Sequence, residues 1–492
     1  MINTRRDFLR ITGLLGTGLA GGILQGFAPA PERKAAAGGE RPVLAGPDAQ
    51  AAQSQALGAQ SARGQSFNMC GYAAPKLDVV RIGYVGLGNR GGEAVPRMNH
   101  IQGVSINALC DLRPEKAQAA KDSLKGSLHN PVLYSGKEDE WKRLCERNDI
   151  DLVYIATPWN LHATIAVYAM EHGKHVAVEV PSARTLDECW QMVEASEKNR
   201  RHCVILENCC YDYFELLTLN MARQGFFGEI VHCEGGYLHD LAPTLFVKDY
   251  RYDYWRLKEN ATRNGNLYPT HGLGPLCQLM NINRGDRMDY MVSASTNDFM
   301  LVQMAVDAAR TNKDIEPFVG SHFRGNFNVS TIRTYNGKVI VLQHDVTSPR
   351  PYSRMHLISG TKAFAEKYPE PPRIAVSREG WVSGADFQKL ENQYKLPIVT
   401  SLWDLAAQIG GKGEGGMDLL MDWRLIDCLR NGLPMDHDVY DAALWSAIAP
   451  LSEWSVARRS ATVDVPDFTR GAWKTNSPVD ISIAHENLTP VK

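Results

Sequence analysis

The chain has 492 residues, of which 44% are hydrophobic and 22% are charged, and its formal net charge is -2. This length allows two domains with sizeable cores, and the small net charge gives no electrostatic case for nucleic acid or an anionic membrane surface. Ten cysteines in so long a chain are not a disulfide framework. The Cys209-Cys210 pair has no second pair at zinc-site spacing, so no metal site is predicted.

The N-terminal segment has the pattern of a twin-arginine signal peptide. Arg5-Arg6 is followed by Phe8-Leu9, by an apolar, glycine-rich stretch and by the small residues Ala28-Pro29-Ala30. A membrane anchor is the less favoured alternative because the apolar stretch is short and rich in glycine. We therefore predict a signal over residues 1–30, export by the twin-arginine machinery, and a periplasmic location.

Residues 31–75 are rich in Ala, Gly, Gln, Ser and Pro and show little hydrophobic periodicity. That composition predicts a disordered linker. No later segment is apolar for long enough to span a bilayer, so the mature chain is predicted to have no membrane span.

A strand, a glycine-rich loop, a helix and a second strand follow one another from Val79 to Asp111. The loop, residues 86–91 (GLGNRG), fits G-x-G-x-x-G, whose glycines let the backbone approach a pyrophosphate at a helix N-terminus. Asp111 ends the second strand, where it would accept hydrogen bonds from a ribose 2′-hydroxyl and repel a 2′-phosphate. NAD is therefore favoured over NADP, although the nearby Arg113 leaves NADP open.

Helical and strand patterns alternate from there to residue 207. The pattern predicts helices at 113–125, 138–147, 163–172 and 186–199 and strands at 132–134, 152–156, 175–179 and 203–207. We expect a doubly wound parallel sheet, a Rossmann domain, over residues 76–208. The loop at 157–162 follows the carboxyl end of a strand and should lie beside the nicotinamide half of the cofactor.

Three motifs in this order resemble the glucose-fructose oxidoreductase, or Gfo/Idh/MocA, family: the glycine-rich loop, A-T-P-x-x-x-H at 156–162, and Glu179-x-Pro181. The resemblance implies a second, C-terminal α/β domain whose open mixed sheet covers the nicotinamide. The family usually has Glu-Lys-Pro, whose lysine helps proton transfer, but this sequence has Val180 at that position. The departure weakens the case for a simple alcohol dehydrogenase.

Two stretches of the second half, residues 207–241 and 255–287, resemble glycoside hydrolase family 109, the NAD-dependent α-N-acetylgalactosaminidases. The resemblance extends from about Arg81 to the C-terminal region. It implies that residues 209–492 form a substrate-binding α/β domain with an open, mostly antiparallel sheet. The Asn336-Gly337 turn is a hairpin signal within that sheet.

Two pairs of Tyr and His residues in these stretches are candidates for proton transfer. Tyr237 and His239 are two apart on a strand, and Tyr268 and His271 are three apart at the start of a helix. A single such residue is more often part of the core, but a nearby nicotinamide favours a functional role for His271. His271 also lies where the oxidoreductase family has the His of Asp-x-x-x-His. The Asp position is Leu267 here, so we expect His271 to lack an orienting carboxylate.

The family 109 motifs also imply a set of site residues. They assign proton transfer around carbons 1 to 3 of the sugar to His271 and Tyr268, and which of the two is the base stays open. The residues implied to bind the sugar are Tyr237, Arg256, Tyr268, Pro269, Thr270, His271 and Tyr352. The residues implied to bind NAD are Gly86, Gly88, Asn89, Arg90, Gly91, Asp111, Trp159, Asn160, Leu161, His162, Glu179, Val180 and Asn208.

The resemblance implies hydrolysis of a terminal α-N-acetylgalactosamine through oxidation. Hydride transfer from carbon 3 to NAD makes a ketone, which acidifies the hydrogen on carbon 2. A base removes that hydrogen, the glycosidic oxygen leaves from carbon 1, water adds, and NADH returns the hydride. NAD is regenerated in each turnover, which suits an exported enzyme with no external NAD supply. Glycosidases of this kind need no pair of carboxylates.

Other interpretations stay open from the sequence. The protein could be an ordinary NAD-dependent sugar dehydrogenase, which needs free exchange of NADH, or a non-catalytic sugar sensor that retains NAD. A conventional pair of carboxylates could come from Glu234, Asp240 or Asp286, although surface carboxylates are usually solvated. A homo-oligomer is also predicted.

Overall fold

The computed structural model describes residues 64–248, 250, 252–409, 416–481 and 488–492. The twin-arginine signal predicted for residues 1–30 lies outside the described residues, as does the larger part of the predicted linker. In the described part of the chain, no helix has the length and apolar character needed to cross a membrane.

The first sheet has six parallel strands in the order β3-β2-β1-β4-β5-β6. Its strands are β1 (Val80–Val85), β2 (Val104–Asp111), β3 (Val132–Ser135), β4 (Leu152–Ile155), β5 (His175–Val178) and β6 (Cys203–Ile205). The helices between them are α1 (Asn89–Met98), α2 (Pro114–Asp122), α3 (Glu140–Cys145), α4 (His162–Glu171) and α5 (Leu186–Asn199). The predicted doubly wound sheet is confirmed. Its strand order reverses direction between β1 and β4, which opens a crevice at their carboxyl ends.

The second sheet has eight strands in the order β13-β12-β11-β7-β10-β9-β8-β14. Its strands are β7 (Ile230–Leu238), β8 (Met288–Ser295), β9 (Phe327–Thr334), β10 (Val339–Asp345), β11 (Ser353–Gly360), β12 (Phe364–Glu366), β13 (Arg373–Ala375) and β14 (Val463–Asp464). Only β7 and β10 pair in parallel, so the predicted mostly antiparallel sheet is confirmed in the described residues. The Asn336-Gly337 turn joins β9 to β10 as the hairpin signal indicated.

Nine further α-helices lie among the described residues of the second half. They are α6 (Tyr213–Arg223), α7 (Ala242–Leu245), α8 (Trp255–Thr262), α9 (Thr270–Leu279), α10 (Leu301–Ala309), α11 (Gly384–Tyr394), α12 (Pro397–Ile409), α13 (Met417–Asn431) and α14 (Val439–Ala457). Helices α13 and α14 return to the first sheet, where α14 packs against α5 and β6. Trp190, Trp423 and Trp445 are fully buried in the core that results, which is continuous between the two sheets. The two predicted domains therefore share one hydrophobic core.

The last part of the predicted linker, residues 64–75, packs against this core. Met69 is 3% exposed, and its backbone N–H donates to the Tyr440 hydroxyl at 3.2 Å. The backbone N–H of Ser66 donates to Glu197 Oε2 at 3.1 Å. For this part the prediction of a disordered linker was wrong, because apolar side chains and buried hydrogen bonds offset a composition that is otherwise typical of disorder.

A buried cluster of four charged side chains joins α6 to the second sheet. Arg354 donates to Asp212 and to Glu215, each at 2.6 Å, and Lys367 pairs with the same two carboxylates at 2.7 and 2.9 Å. Burial would raise the pKa of Glu215, but the positive charges of Lys367 and Arg354 outweigh it and hold that pKa below its ordinary value. The ionised carboxylate is thus favoured in the folded protein.

We expect the Glu215 carboxylate to make stability fall in acid. Because its pKa is lowered on folding, its contribution is present above the unfolded value of about 4.3 and is lost as the pH falls below that value. Thermal melting of the wild type and of Glu215→Gln between about pH 6 and pH 3 measures this contribution. At neutral pH the variant should have a lower melting temperature than the wild type, with a free energy of unfolding smaller by about 3–5 kcal/mol. On acidification it should lose less stability than the wild type. An equally steep acid loss in both proteins would contradict the assignment.

Candidate active site

A cavity of about 830 Å³ opens at the carboxyl ends of β1 and β4. Its walls come from the glycine-rich loop, the end of β2, the loop after β4, and the segment that leads into α8. Most of the residues predicted to bind NAD line it, namely Gly86, Gly88, Asn89, Arg90, Asp111, Trp159, Asn160, Leu161, His162, Glu179 and Val180. Arg256 and Tyr268, which were predicted to bind the sugar, lie in the same lining.

The glycine-rich loop has the geometry of a dinucleotide cradle. Gly86 has a φ of +89°, and a Cβ atom at Gly91 would lie only 1.9 Å from the Gly86 carbonyl oxygen, so the turn requires both glycines. No side chain caps the N-terminus of α1 and no acidic residue lies in its first turn, which leaves N–H groups and the positive end of the helix dipole available to an anion. These residues fit the pyrophosphate of a dinucleotide.

Asp111 ties this loop to the end of β2. Its carboxylate accepts hydrogen bonds from the backbone N–H groups of Leu87 at 2.7 Å and Arg113 at 2.9 Å. The Arg113 guanidinium lies over the Tyr252 ring, 4.7 Å from its centroid. A ribose bound in this cavity would thus have Asp111 as an acceptor and the Arg113–Tyr252 pair beside it.

Asp418, at the start of α13, connects several of the predicted NAD residues through hydrogen bonds. It accepts two hydrogen bonds from Arg90 and one from the Asn208 amide, each at 2.9 Å, and Arg90 donates another to Glu179 at 2.9 Å. Burial would raise the pKa of Asp418, but the charges of Arg90 and Arg97 keep it below its ordinary value. Asp418 could not be predicted from the sequence, because it lies 210 residues from Asn208 and no local pattern connects the two.

On the sugar side, helix α9 lies directly against strand β7. A Cβ atom at Gly272 would lie 2.1 Å from the backbone N of Gly236, and one at Gly235 would lie 2.3 Å from the carbonyl oxygen of Gly272. Only glycines permit so close an approach of two backbones. As a result, the His271 ring on α9 lies 5.3 Å from the Tyr237 ring on β7.

Tyr268 connects this aromatic group to the cavity. Its ring lies 4.6 Å from that of Tyr237, 4.9 Å from that of His271 and 5.8 Å from that of Trp159, and the Arg256 guanidinium lies 4.8 Å from its centroid. Burial and the neighbouring Tyr237 raise the pKa of Tyr268 well above its ordinary value, so the phenol is protonated at neutral pH. Its hydroxyl can therefore donate a hydrogen bond.

The other residues predicted to bind the sugar surround the same group. Tyr352 lies 6.3 Å from Tyr237 and 5.1 Å from His239, measured between ring centroids. Pro269 and Thr270 form the N-terminus of α9, next to His271. The structure therefore brings the predicted proton-transfer and sugar residues together in one group, which reaches the cavity through Arg256 and Tyr268.

His271 has a carboxylate partner that the sequence pattern does not predict. Its Nδ1 lies 2.6 Å from Glu207 Oε1, and the same oxygen accepts a hydrogen bond from the backbone N–H of Cys209 at 3.1 Å. Burial would raise the pKa of Glu207, but the charge of His271 and its hydrogen bond outweigh burial and lower it. The expectation that His271 lacks an orienting carboxylate, drawn from Leu267, was wrong. The carboxylate comes from the end of the first sheet instead.

Among the described residues, Glu207, Cys209 and His271 also form a group whose potential metal-ligating atoms lie within 4.8 Å of one another. The hydrogen bond between Glu207 and His271 accounts for the approach of two of these three. The geometry is explained by the pair itself and does not call for a metal ion.

The three acidic residues considered as a conventional glycosidase pair have other contacts. Glu234 lies 3.7 Å from His232, Asp240 accepts from the backbone N–H at the start of α7, and Asp286 accepts from two backbone N–H groups. None of the three is in the described lining of the cavity. The site therefore offers no carboxylate pair from this set.

Comparison with known families agrees with this geometry. The model described as "Glycosyl hydrolase 109, C-terminal domain" matches residues 211–475, and that described as "Oxidoreductase family, NAD-binding Rossmann fold" matches residues 80–206. Glycosyl hydrolase family 109 protein 1 of Bacteroides fragilis is 49% identical over 422 residues, which are 82% of this chain and 89% of that protein. The chain belongs to glycoside hydrolase family 109. It is a glycoside hydrolase with an NAD-binding fold, and the prediction of NAD as its cofactor is confirmed.

Three further proteins are similar to this family 109 chain. An alpha-N-acetylgalactosaminidase of Bacteroides fragilis is 48% identical over 415 residues, which are 83% of this chain and 96% of that enzyme. The structure of levoglucosan dehydrogenase with NADH and levoglucosan has a TM-score of 0.58 at 20% identity, and scyllo-inositol dehydrogenase of Lactobacillus casei with NAD(H) and scyllo-inositol has 0.56 at 16%. Each covers 79% of this chain and 100% of the dehydrogenase. These two likenesses show the fold alone.

Proposed function

We propose that this family 109 enzyme hydrolyses terminal α-N-acetylgalactosamine by oxidation at carbon 3, elimination, addition of water and re-reduction. The observation that carries the proposal is the position of Tyr268, which lines the dinucleotide cavity and packs against His271. A proton-transfer group and a hydride-accepting cofactor would thus act on adjacent carbons of one sugar. The alpha-N-acetylgalactosaminidase that is 48% identical supports the choice of sugar.

The two predicted proton-transfer residues have different parts in this proposal. When bound, NAD supplies the acceptor for the hydride of carbon 3. His271 is the base at carbon 2, because the bond of its Nδ1 to Glu207 leaves the opposite nitrogen of the ring, Nε2, free to take a proton. The glycosidic oxygen then leaves from carbon 1 and takes up a proton, and the hydroxyl of water adds at carbon 1. His271, whose proton exchanges with solvent, returns a proton to carbon 2. The hydroxyl proton lost from the oxygen on carbon 3 during oxidation returns to it on re-reduction. Tyr268 donates a hydrogen bond to a sugar oxygen, which its raised pKa supports.

The test is a glycosidase assay in deuterated water. Protein purified without added nucleotide is first examined for the absorbance of retained NAD, and nitrophenyl α-N-acetylgalactosaminide is then supplied. We expect release of nitrophenol, deuterium at carbon 2 of the product, and no net NADH, because the cofactor is regenerated in each turnover.

Three other outcomes would contradict the proposal in different ways. Cleavage without deuterium at carbon 2 would rule out elimination but would still support the proposed substrate. Steady NADH formation from a free sugar, without cleavage, would indicate a dehydrogenase. Bound NAD with neither activity would indicate a sugar sensor. Export to the periplasm and assembly into a homo-oligomer stay predictions.

A further inference from the structure

We propose that Glu207 is a positioning residue, which holds His271 in the tautomer with the proton on Nδ1 and so directs Nε2 at the sugar. This inference rests on the proposed function, which makes His271 the base. Glu207 takes the place of the orienting carboxylate that the Gfo/Idh/MocA resemblance implies at position 267, where this chain has leucine.

One backbone hydrogen bond and close helix packing restrict the Glu207 side chain, apart from its bond to His271. Its side chain is 0% exposed, and the backbone N–H of Cys209 donates to Oε1. A Cβ atom at Gly274 on helix α9 would lie 2.9 Å from Glu207 Cγ, so the helix packs tightly on the acid. These contacts favour the position in which Oε1 meets Nδ1 of His271.

The chemistry of the pair determines the tautomer. An ionised carboxylate only accepts hydrogen bonds, so Nδ1 of His271 is the nitrogen that carries a proton. The His271 side chain keeps 12% exposure to solvent, so the ring is not completely buried. When Nε2 takes a proton, the negative charge 2.6 Å from Nδ1 stabilises the imidazolium that forms.

The residue after Glu207 anchors the same turn on the cofactor side. The Asn208 amide donates to Asp418, which also binds Arg90 of the glycine-rich loop. Consecutive residues at the end of the first sheet thus reach the proton-transfer group and the nucleotide loop. This turn therefore links the position of His271 to that of the nucleotide loop.

The test compares Glu207→Gln and Glu207→Asp with the wild type, each as the full chain with retained NAD. Glu207→Gln keeps the shape but lacks the charge, and its amide can donate to Nδ1, so we expect kcat to fall about 10- to 100-fold with little change in KM. Glu207→Asp keeps the charge at a longer distance and should recover part of the loss. Nitrogen-15 spectra of histidine-labelled protein should show a protonated Nδ1 for His271 in the wild type and loss of that signal in Glu207→Gln.

Glu197→Gln is the matched control. Glu197 is also a buried carboxylate, and its hydrogen bonds go to Ser66, Tyr440 and Arg470. The Glu197→Gln variant should have the kcat and the His271 nitrogen-15 spectrum of the wild type. A second test is the double variant Glu207→Gln with His271→Asn, which should be no slower than His271→Asn alone, because Glu207 acts only through the histidine.

Two results would overturn the inference. One is a folded Glu207→Gln enzyme whose kcat stays within about twofold of the wild type. The other is a His271 ring protonated on Nε2 in the wild type. The spectrum does not depend on turnover, so a wild type that cleaves without deuterium incorporation would refute the proposed function and still leave the Glu207–His271 pair tested.

Discussion

Replacing His271 with asparagine should lower kcat on the order of 10²- to 10⁴-fold, the range expected when a general base is lost. The protein should still retain NAD, because His271 is not in the described lining of the dinucleotide cavity. Asparagine keeps a polar group of similar reach near Glu207 but cannot take a proton at neutral pH. The measurements are the absorbance of the bound cofactor and single-turnover cleavage, with deuterium at carbon 2 measured in the product.

Tyr268→Phe separates the two predicted proton-transfer residues. It keeps the ring against Tyr237 and Trp159 and removes only the hydroxyl, so we expect a loss of about 10²-fold, as for one hydrogen-bond donor to a developing charge. Deuterium should still enter carbon 2 in proportion to turnover. If His271→Asn exchanged at carbon 2 and Tyr268→Phe did not, the two roles would be reversed. His322→Asn, at an exposed histidine, is the matched control for His271→Asn and should leave kcat unchanged.

The first sheet could be predicted almost strand by strand, because each strand is a short apolar run between turn signals and each run belongs to a repeated βα unit. The cradle at residues 86–91 followed from local sequence in the same way. The ordered packing of segment 64–75 could not be predicted in this way, because its few apolar side chains are buried only through contact with α14. Composition averages over residues, whereas burial is decided one side chain at a time.

The proton-transfer residues also show what could not be predicted from the sequence. His271 and Tyr268 could be selected from one stretch of sequence, but the partner of His271 is 64 residues away and lies just beyond the end of β6 in the first sheet. The missing aspartate at position 267 led to the expectation of an unpartnered histidine. A carboxylate can contact the same nitrogen from any element that the fold brings near. The spacing of a sequence motif can identify only a partner on the same stretch of chain.

The close contact between α9 and β7 makes Gly272→Ala the substitution with the largest expected effect outside the proton-transfer residues. An added methyl would meet the backbone N of Gly236 at 2.1 Å, and because backbone cannot rotate away, the helix must move. A shift of about 1 Å at His271 is enough to lower kcat by about 10²-fold, and the overpacking should cost about 1–3 kcal/mol of stability. The movement leaves the glycine-rich loop untouched, so NAD should be retained.

The control for this substitution is Gly384→Ala, at the first residue of α11, where an added Cβ atom would meet nothing within 4 Å. It should leave both kcat and the melting temperature close to those of the wild type. Retained NAD with lost cleavage in Gly272→Ala would separate the sugar site from the cofactor site by a single methyl group. If the variant instead cleaved at the wild-type rate, α9 could retreat without moving His271, and the glycines at 235 and 272 would serve packing alone. If it lost NAD as well, the turn at Glu207 and Asn208 would be transmitting the displacement to the nucleotide loop, since that turn contacts both α9 and Asp418.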